Sequence, residues 1–100
     1  MFALVVRFDL HDPTAATSFD ALVQQLLPGI AAHEPGTVVY TVHTLLDAPL
    51  SRIFYECYAD REAFDEHERQ PHTATFLRDR ERLCRATRVE LLTPTGGTGA

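Results

Sequence analysis

Between Phe54 and His72 the chain reads FYECYADREAFDEHERQPH: an aromatic strand pattern carrying one acid, Glu56, then a short helical pattern ending beside His67 and His72. Histidine titrates closest to neutrality of all side chains, which makes it the first candidate for a general base. Acid–base groups beside aromatic surface are what oxidation of a small aromatic molecule requires. They are equally what a polar helix end contains. His67 follows Phe64 by three residues and so shares the helix face that Phe64 turns to the core. His72 follows Pro71, in the first turn of the next helix, where the helix dipole disfavours an imidazolium and suits a neutral ring able to accept a proton. Either one histidine is a general base near an aromatic pocket, or both hydrogen-bond to tie two helices together.

Glu56 lies mid-strand between Phe54 and Tyr58. A carboxylate there must be paired or its pKa must rise, and Arg7, His43 and His67 are its candidate partners. Tyr40, Tyr55 and Tyr58 offer hydroxyls and ring edges to a phenolic ligand, although strand parity sends Tyr55 to the face opposite Tyr58. The segment HERQPH does not fit the zinc-protease pattern, which needs histidines four apart on one continuous helix; here the spacing is five with a proline between. No metal site is therefore expected. Cys57 and Cys84 form no CxxC pair and have no histidine at a useful spacing, so they read as two reduced thiols of a cytoplasmic protein. No glycine-rich phosphate loop opens a helix.

These groups need elements to hold them. FALVVRFDL (2–10) reads as a strand, and Asp12-Pro13 as a helix start with an N-cap and a first-position proline. Phe19, Leu22, Val23, Leu26, Leu27 and Ile30 mark one helix face, within which Pro28-Gly29 should kink the helix or split off its last turn. EPG (34–36) is a turn. Strands follow at 37–46 and 52–59, joined through 47–51. Asp60 caps a helix at 61–69, Pro71 opens another at 71–84, and 87–94 is the last strand. The order β-α-β-β-α-β, with its second helical segment broken, is the ferredoxin-like α+β pattern of a four-stranded antiparallel sheet with helices on one face. One domain, 1–94, is expected, with a disordered tail at 95–100.

The 100 residues carry a net charge of −5, and the arginines at 78, 80, 82, 85 and 88 alternate with Asp79 and Glu81 as a solvated helix face would, which argues against nucleic-acid binding. The apolar run Phe2–Val6 is too short for a signal peptide or a membrane span. The strands are apolar on both faces: Phe2, Leu4, Val6 and Phe8 oppose Ala3 and Val5; Val38, Tyr40 and Val42 oppose Val39; Phe54 and Tyr58 oppose Ile53, Tyr55 and Cys57. Helices cover one face only. The other would be a large exposed apolar patch, so a homodimer through that sheet face is expected.

The EPG turn leading into TVVYTVH, the strand FYECYAD, then REAF, His67 and PH with His72, together resemble the antibiotic biosynthesis monooxygenase domain, nearest its quinol-monooxygenase-like branch. The resemblance spans about residues 2–94. It implies a dimeric α+β barrel with a pocket between sheet and helices. It also implies oxygenation of phenols or quinols, including polycyclic ones, by O₂ with no flavin, haem or metal cofactor. His67 and His72 match the family's helix-break histidines and are the implied catalytic residues, His67 first. Tyr40, Glu56, Tyr58 and Phe64 would line or support the pocket, and Arg7 would stabilise a substrate anion. The haem-degrading branch uses an Asn, a Trp and a His; this chain has neither Asn nor Trp, and His67 stands at the tryptophan position. The same fold also admits a non-catalytic dimeric binder or pathway accessory protein, or an isomerase or cyclase using the same base.

Overall fold

Strand β1 (Phe2–Leu10) is the centre of the molecule: it pairs antiparallel with β3 (Ala48–Tyr58) on one side and with β4 (Cys84–Leu92) on the other. Strand β2 (Thr37–Leu45) completes the sheet outside β3, giving the order β2-β3-β1-β4 with every neighbour antiparallel. Helices α1 (Pro13–His33), α2 (Arg61–Glu68) and α3 (Pro71–Arg80) connect the strands, and one 3₁₀ turn, Glu81–Leu83, leads from α3 into β4. This is the ferredoxin-like βαββαβ arrangement. The computed structural model describes residues 1–99.

The caps follow from local chemistry. The carboxylates of Asp12 and Asp60 accept hydrogen bonds from the amides of Ala15 and Ala63, each at 2.8 Å, so the first orphan donors of α1 and α2 are satisfied. The period-two pattern of β1 sends Leu4, Val6, Phe8 and Leu10 against Phe19, Val23, Leu26 and Ile30 of α1 and Phe76 of α3. Phe8 and Phe54 meet edge to face with centroids 4.9 Å apart, and Phe19 and Phe76 meet similarly at 5.6 Å. On the opposite face no helix lies over Val5, Val39, Ile53 and Tyr55, which are half-buried, while Ala3 and Cys57 between them are buried.

Several boundaries differ from the expectations. The hairpin turn is confined to Leu46 and Asp47, so β3 starts at Ala48 rather than 52. Helix α3 stops at Arg80, because Leu83 folds into the core and its carbonyl accepts from the amide of His11 at 3.1 Å. Cys84 then pairs with Leu10 and opens β4, which ends at Leu92 instead of 94. Val38 is the extra residue of a bulge and is 45% exposed, so it does not join Tyr40 and Val42 on the core face. Pro28 removes one helical donor, yet α1 is a single helix through to His33. Residues 93–99 carry no helix or strand; the last residue of the expected tail lies outside the described residues.

Candidate active site

A cavity of about 150 Å³ lies between the helix-facing side of β1, β3 and β4 and the helices α2 and α3. Its walls are largely apolar, with Leu4, Val6, Phe8, Phe54, Phe64 and Phe76 among them, and its polar members are few: Glu56, His67, Glu68, Thr73, Arg80 and Thr87, besides the hydroxyl of Tyr40. The register explains the convergence. Glu56 is opposite Leu4 and Tyr40, and Leu4 is opposite Leu91, so one row across the sheet forms one end of the cavity.

His67 lies in the last turn of α2 and is buried at 4% exposure. Its ring lies between Tyr40 and Tyr58, with both centroids 5.4 Å away. Nδ1 is 2.8 Å from Oε1 of Glu34, the residue that terminates α1. A carboxylate can only accept, so Nδ1 carries the proton and in the neutral ring Nε2 is the acceptor. Nε2 lies 3.9 Å from Glu56 Oε1, on the cavity side.

Glu34 also accepts from Thr37 Oγ1 at 2.8 Å and, through Oε2, from Nε2 of His72. Burial pushes the Glu34 carboxyl up, but the hydrogen bonds from His72, Thr37 and His67 outweigh it and hold the group below the usual carboxylate range. The His72 ring fits because Gly29 has no side chain: a Cβ there would stand 2.6 Å from Cγ and Nδ1 of the ring. Gly36 gives the same close approach to Ala63 of α2, whose Cβ would be 2.6 Å away.

Glu56 is the second buried acid, at 5% exposure, and it has one direct partner, the Tyr58 hydroxyl at 2.6 Å. Burial pushes its pKa up to about 7, the Tyr58 hydrogen bond opposes this, and the nearby charges of Glu68 and Glu34 add to the rise. Burial also raises the phenols of Tyr40 and Tyr58 well above their ordinary value, with Glu56 contributing to both, so they are hydrogen-bond donors rather than bases. Phe64 packs on Tyr58 and Phe2, at 5.3 and 5.0 Å, and closes the wall beside His67.

Tyr40, Glu56, Tyr58, Phe64 and His67 are thus brought together. Two expected residues are not. Arg7 is on the far face of the sheet, paired with Asp9 at 3.0 Å and Ser51 at 3.2 Å, because it alternates with the cavity-facing Val6 and Phe8; it cannot reach a substrate anion in this cavity. His72 does not line the cavity either. It stands behind Glu34 and donates from Nε2 to that carboxylate, away from the cavity lining where a proton acceptor was expected. His43, considered as a partner for Glu56, instead meets the carbonyl of Ile53 at 3.1 Å near the surface. Among the described residues no cluster of three or more His, Cys, Asp or Glu side chains is placed to hold a metal ion.

Comparison with known proteins places this arrangement. Residues 1–79 match the family described as antibiotic biosynthesis monooxygenase. The chain belongs to that family. Among solved structures, the antibiotic biosynthesis monooxygenase fold seen here is similar to that of Rv0793 from Mycobacterium tuberculosis, with 26% identity, a TM-score of 0.88 and 98% of each chain covered. A proposed monooxygenase from Lactobacillus acidophilus NCFM is 25% identical with a TM-score of 0.85; the match covers 92% of this chain and 43% of that one, so this chain spans less than half its length. A proposed antibiotic biosynthesis monooxygenase from Caulobacter crescentus CB15, at 20% identity, shares the fold with a TM-score of 0.88 over 95% of this chain and 90% of its own. None of the curated proteins compared with the chain matches it.

Two site residues of this family member escape a reading of its sequence. Glu34 sits in an EPG turn, where an acid is ordinarily solvated. Arg80 sits in a run of alternating charges that reads as a wet helix face, yet it lines the cavity and its guanidinium lies over the Phe8 ring at 5.5 Å. The only signal for Glu34 was the pair of histidines needing an acceptor. For Arg80 it was the helix period, which places it four residues after the buried Phe76.

Proposed function

We propose that the protein is a cofactor-independent monooxygenase of the quinol-monooxygenase-like type, acting on a small single-ring phenol or quinol. The observation that carries this reading is the pairing of His67 Nε2 and Glu56, a group titrating near neutrality, on the wall of an otherwise apolar cavity. A cavity of about 150 Å³ is of the size that holds benzene, which favours one ring over a polycyclic substrate.

The chemistry needs a base, donors for the resulting anion and a dry space. His67, oriented by Glu34, takes the phenolic proton; the hydroxyl of Tyr40 and the protonated fraction of Glu56 donate to the phenolate. The phenolate passes one electron to O₂, and the phenoxyl radical and superoxide join as a carbon–oxygen bond. The O–O bond then breaks as the proton on that carbon leaves. The sum, phenol plus O₂ giving quinone plus water, balances without an external reductant. A homodimer through the helix-free sheet face is part of the same reading, supported by the half-buried Val5, Val39, Ile53 and Tyr55 there. No helix of the described residues is long and apolar enough to cross a membrane; a cytoplasmic location is likewise our inference.

Oxygen uptake by metal-free protein against a panel of hydroquinones tests the proposal. Substituting His67→Gln should lower the rate by about 10²–10⁴-fold while binding of the ring is retained. Binding without uptake for every phenol would instead identify a non-catalytic binder, and uptake insensitive to His67→Gln would remove the base from the mechanism.

A further inference from the structure

The end of the cavity away from His67 holds an unpaired cation. Arg80 is the last residue of α3. Its Nη1 donates to Thr87 Oγ1 at 3.2 Å, its guanidinium carbon is 5.5 Å from the Phe8 ring centroid, and its Nε is buried with no hydrogen-bond partner. Among the described residues it makes no ion pair with a carboxylate; its neighbour Asp79 is taken by Arg78 at 2.9 Å. Cys84 lies beside the guanidinium: burial pushes its thiol up, the charge and hydrogen bonding of Arg80 oppose this, and a sulfur neighbour of this kind supplies no carboxylate counter-ion. A buried guanidinium donor without an acceptor carries an uncompensated desolvation cost, and a planar anion reaching it through the cavity would remove that cost with a charge-assisted hydrogen bond.

The register sets the distance. Thr87 is opposite Phe8, and Glu56 is opposite Leu4. Four residues along β1 separate these rows, roughly 13 Å. The cavity therefore has an acid–base end at His67 and Glu56 and a cationic end at Arg80, with apolar walls between.

We propose that Arg80 is a specificity-determining residue that binds a carboxylate, so that the preferred ligand is a single aromatic ring bearing a phenolic hydroxyl at one end and a carboxylate at the other. This rests on the function proposed above for the phenolic end, but the carboxylate preference is a binding property and is testable without turnover.

The probes are 4-hydroxybenzoate and its neutral counterpart 4-hydroxybenzamide, titrated calorimetrically into the full chain without oxygen. Wild type should bind the benzoate at least about tenfold more tightly, the size of one charge-assisted hydrogen bond. Arg80→Gln should reduce the preference to near unity, and Arg80→Lys should restore part of it. Equal affinity of wild type for the two probes, or no binding of either, overturns the proposal, and that measurement needs no variant to fold. Persistence of the preference in a folded Arg80→Gln protein overturns it as well. Carboxylate-selective binding with no oxygen uptake from any phenol would uphold Arg80 and sink the oxygenase; uptake from neutral hydroquinones without carboxylate selectivity would do the reverse.

Discussion

His67 is held between two buried glutamates that have opposite fates. Glu34 accepts from Thr37, His67 and His72 and is held below the usual carboxylate range. Glu56 accepts from Tyr58 alone and is pushed up to about 7. Both are nearly inaccessible, at 7% and 5% exposure, so burial alone does not separate them. The number of donors does. Three hydrogen bonds make Glu34 a fixed anion that orients its neighbours; one hydrogen bond and two nearby negative charges leave Glu56 free to exchange a proton in the range where catalysis operates.

Removing the fixed anion should have the largest effect. Glu34→Ala leaves three donors from three elements without an acceptor, two of them on imidazoles, and should destabilise the fold by about 3–5 kcal/mol in urea unfolding at neutral pH. Because the Glu34 pKa is lowered on folding, its contribution is fully present above the unfolded value and lost as pH falls through the folded one. The variant should therefore also lose less stability than wild type on acidification below about 4.5. A loss under about 1 kcal/mol would mean that water replaces the carboxylate cheaply and that Glu34 does not position His67.

The contrast between the two acids was only half visible beforehand. Glu56 stood out because period-two alternation set it mid-strand between Phe54 and Tyr58 on one strand face. Glu34 did not, because its burial depends on α2 and α3 closing over the turn after α1, and nothing local announces that closure. The sheet, its antiparallel order and both aspartate caps were legible from periodicity and cap chemistry. The start of β4 was not: Cys84 pairs because Leu10 extends β1 to meet it, a tertiary demand that overrides a continuing helix pattern. Arg7 was misplaced for a simpler reason. Alternation with Val6 and Phe8 already put it on the far face, and the family resemblance prevailed over that parity.

The titrating acid gives a smaller effect of opposite sign. Folding raises the Glu56 pKa to about 7. The folded state then keeps a proton that the unfolded chain has released, so stability is lost as pH rises from about 4.5 toward 7, by roughly 3 kcal/mol. Glu56→Gln retains an acceptor for Tyr58 and cannot ionise, so its stability should hold level over that range. Comparing urea unfolding at pH 5 and pH 7.5 in the two proteins measures the difference. Parallel losses would show that Glu56 does not titrate there, and the acid–base end of the cavity would reduce to His67.

Gly29→Ala sharpens the comparison from the back of the site. In a helix this exchange ordinarily stabilises by up to about 1 kcal/mol. Here the new Cβ would stand 2.6 Å from the His72 ring, which would have to leave Glu34 Oε2. The overpacking should cost about 1–3 kcal/mol, leaving a small net loss of stability. Glu34 would keep Thr37 and His67, so oxygen uptake should fall far less than with His67→Gln. In a His72→Ala background the ring atoms at 2.6 Å are gone and only the Cβ of residue 72, at 3.0 Å, stays close; a shift of a few tenths of an ångström relieves it, so the propensity prevails and the same Gly29→Ala exchange should become stabilising. A reversal of sign between the two backgrounds is what steric contact with one ring demands. An equal loss in both would instead locate the cost in α1 itself and would free His72 from any part in holding the fixed anion.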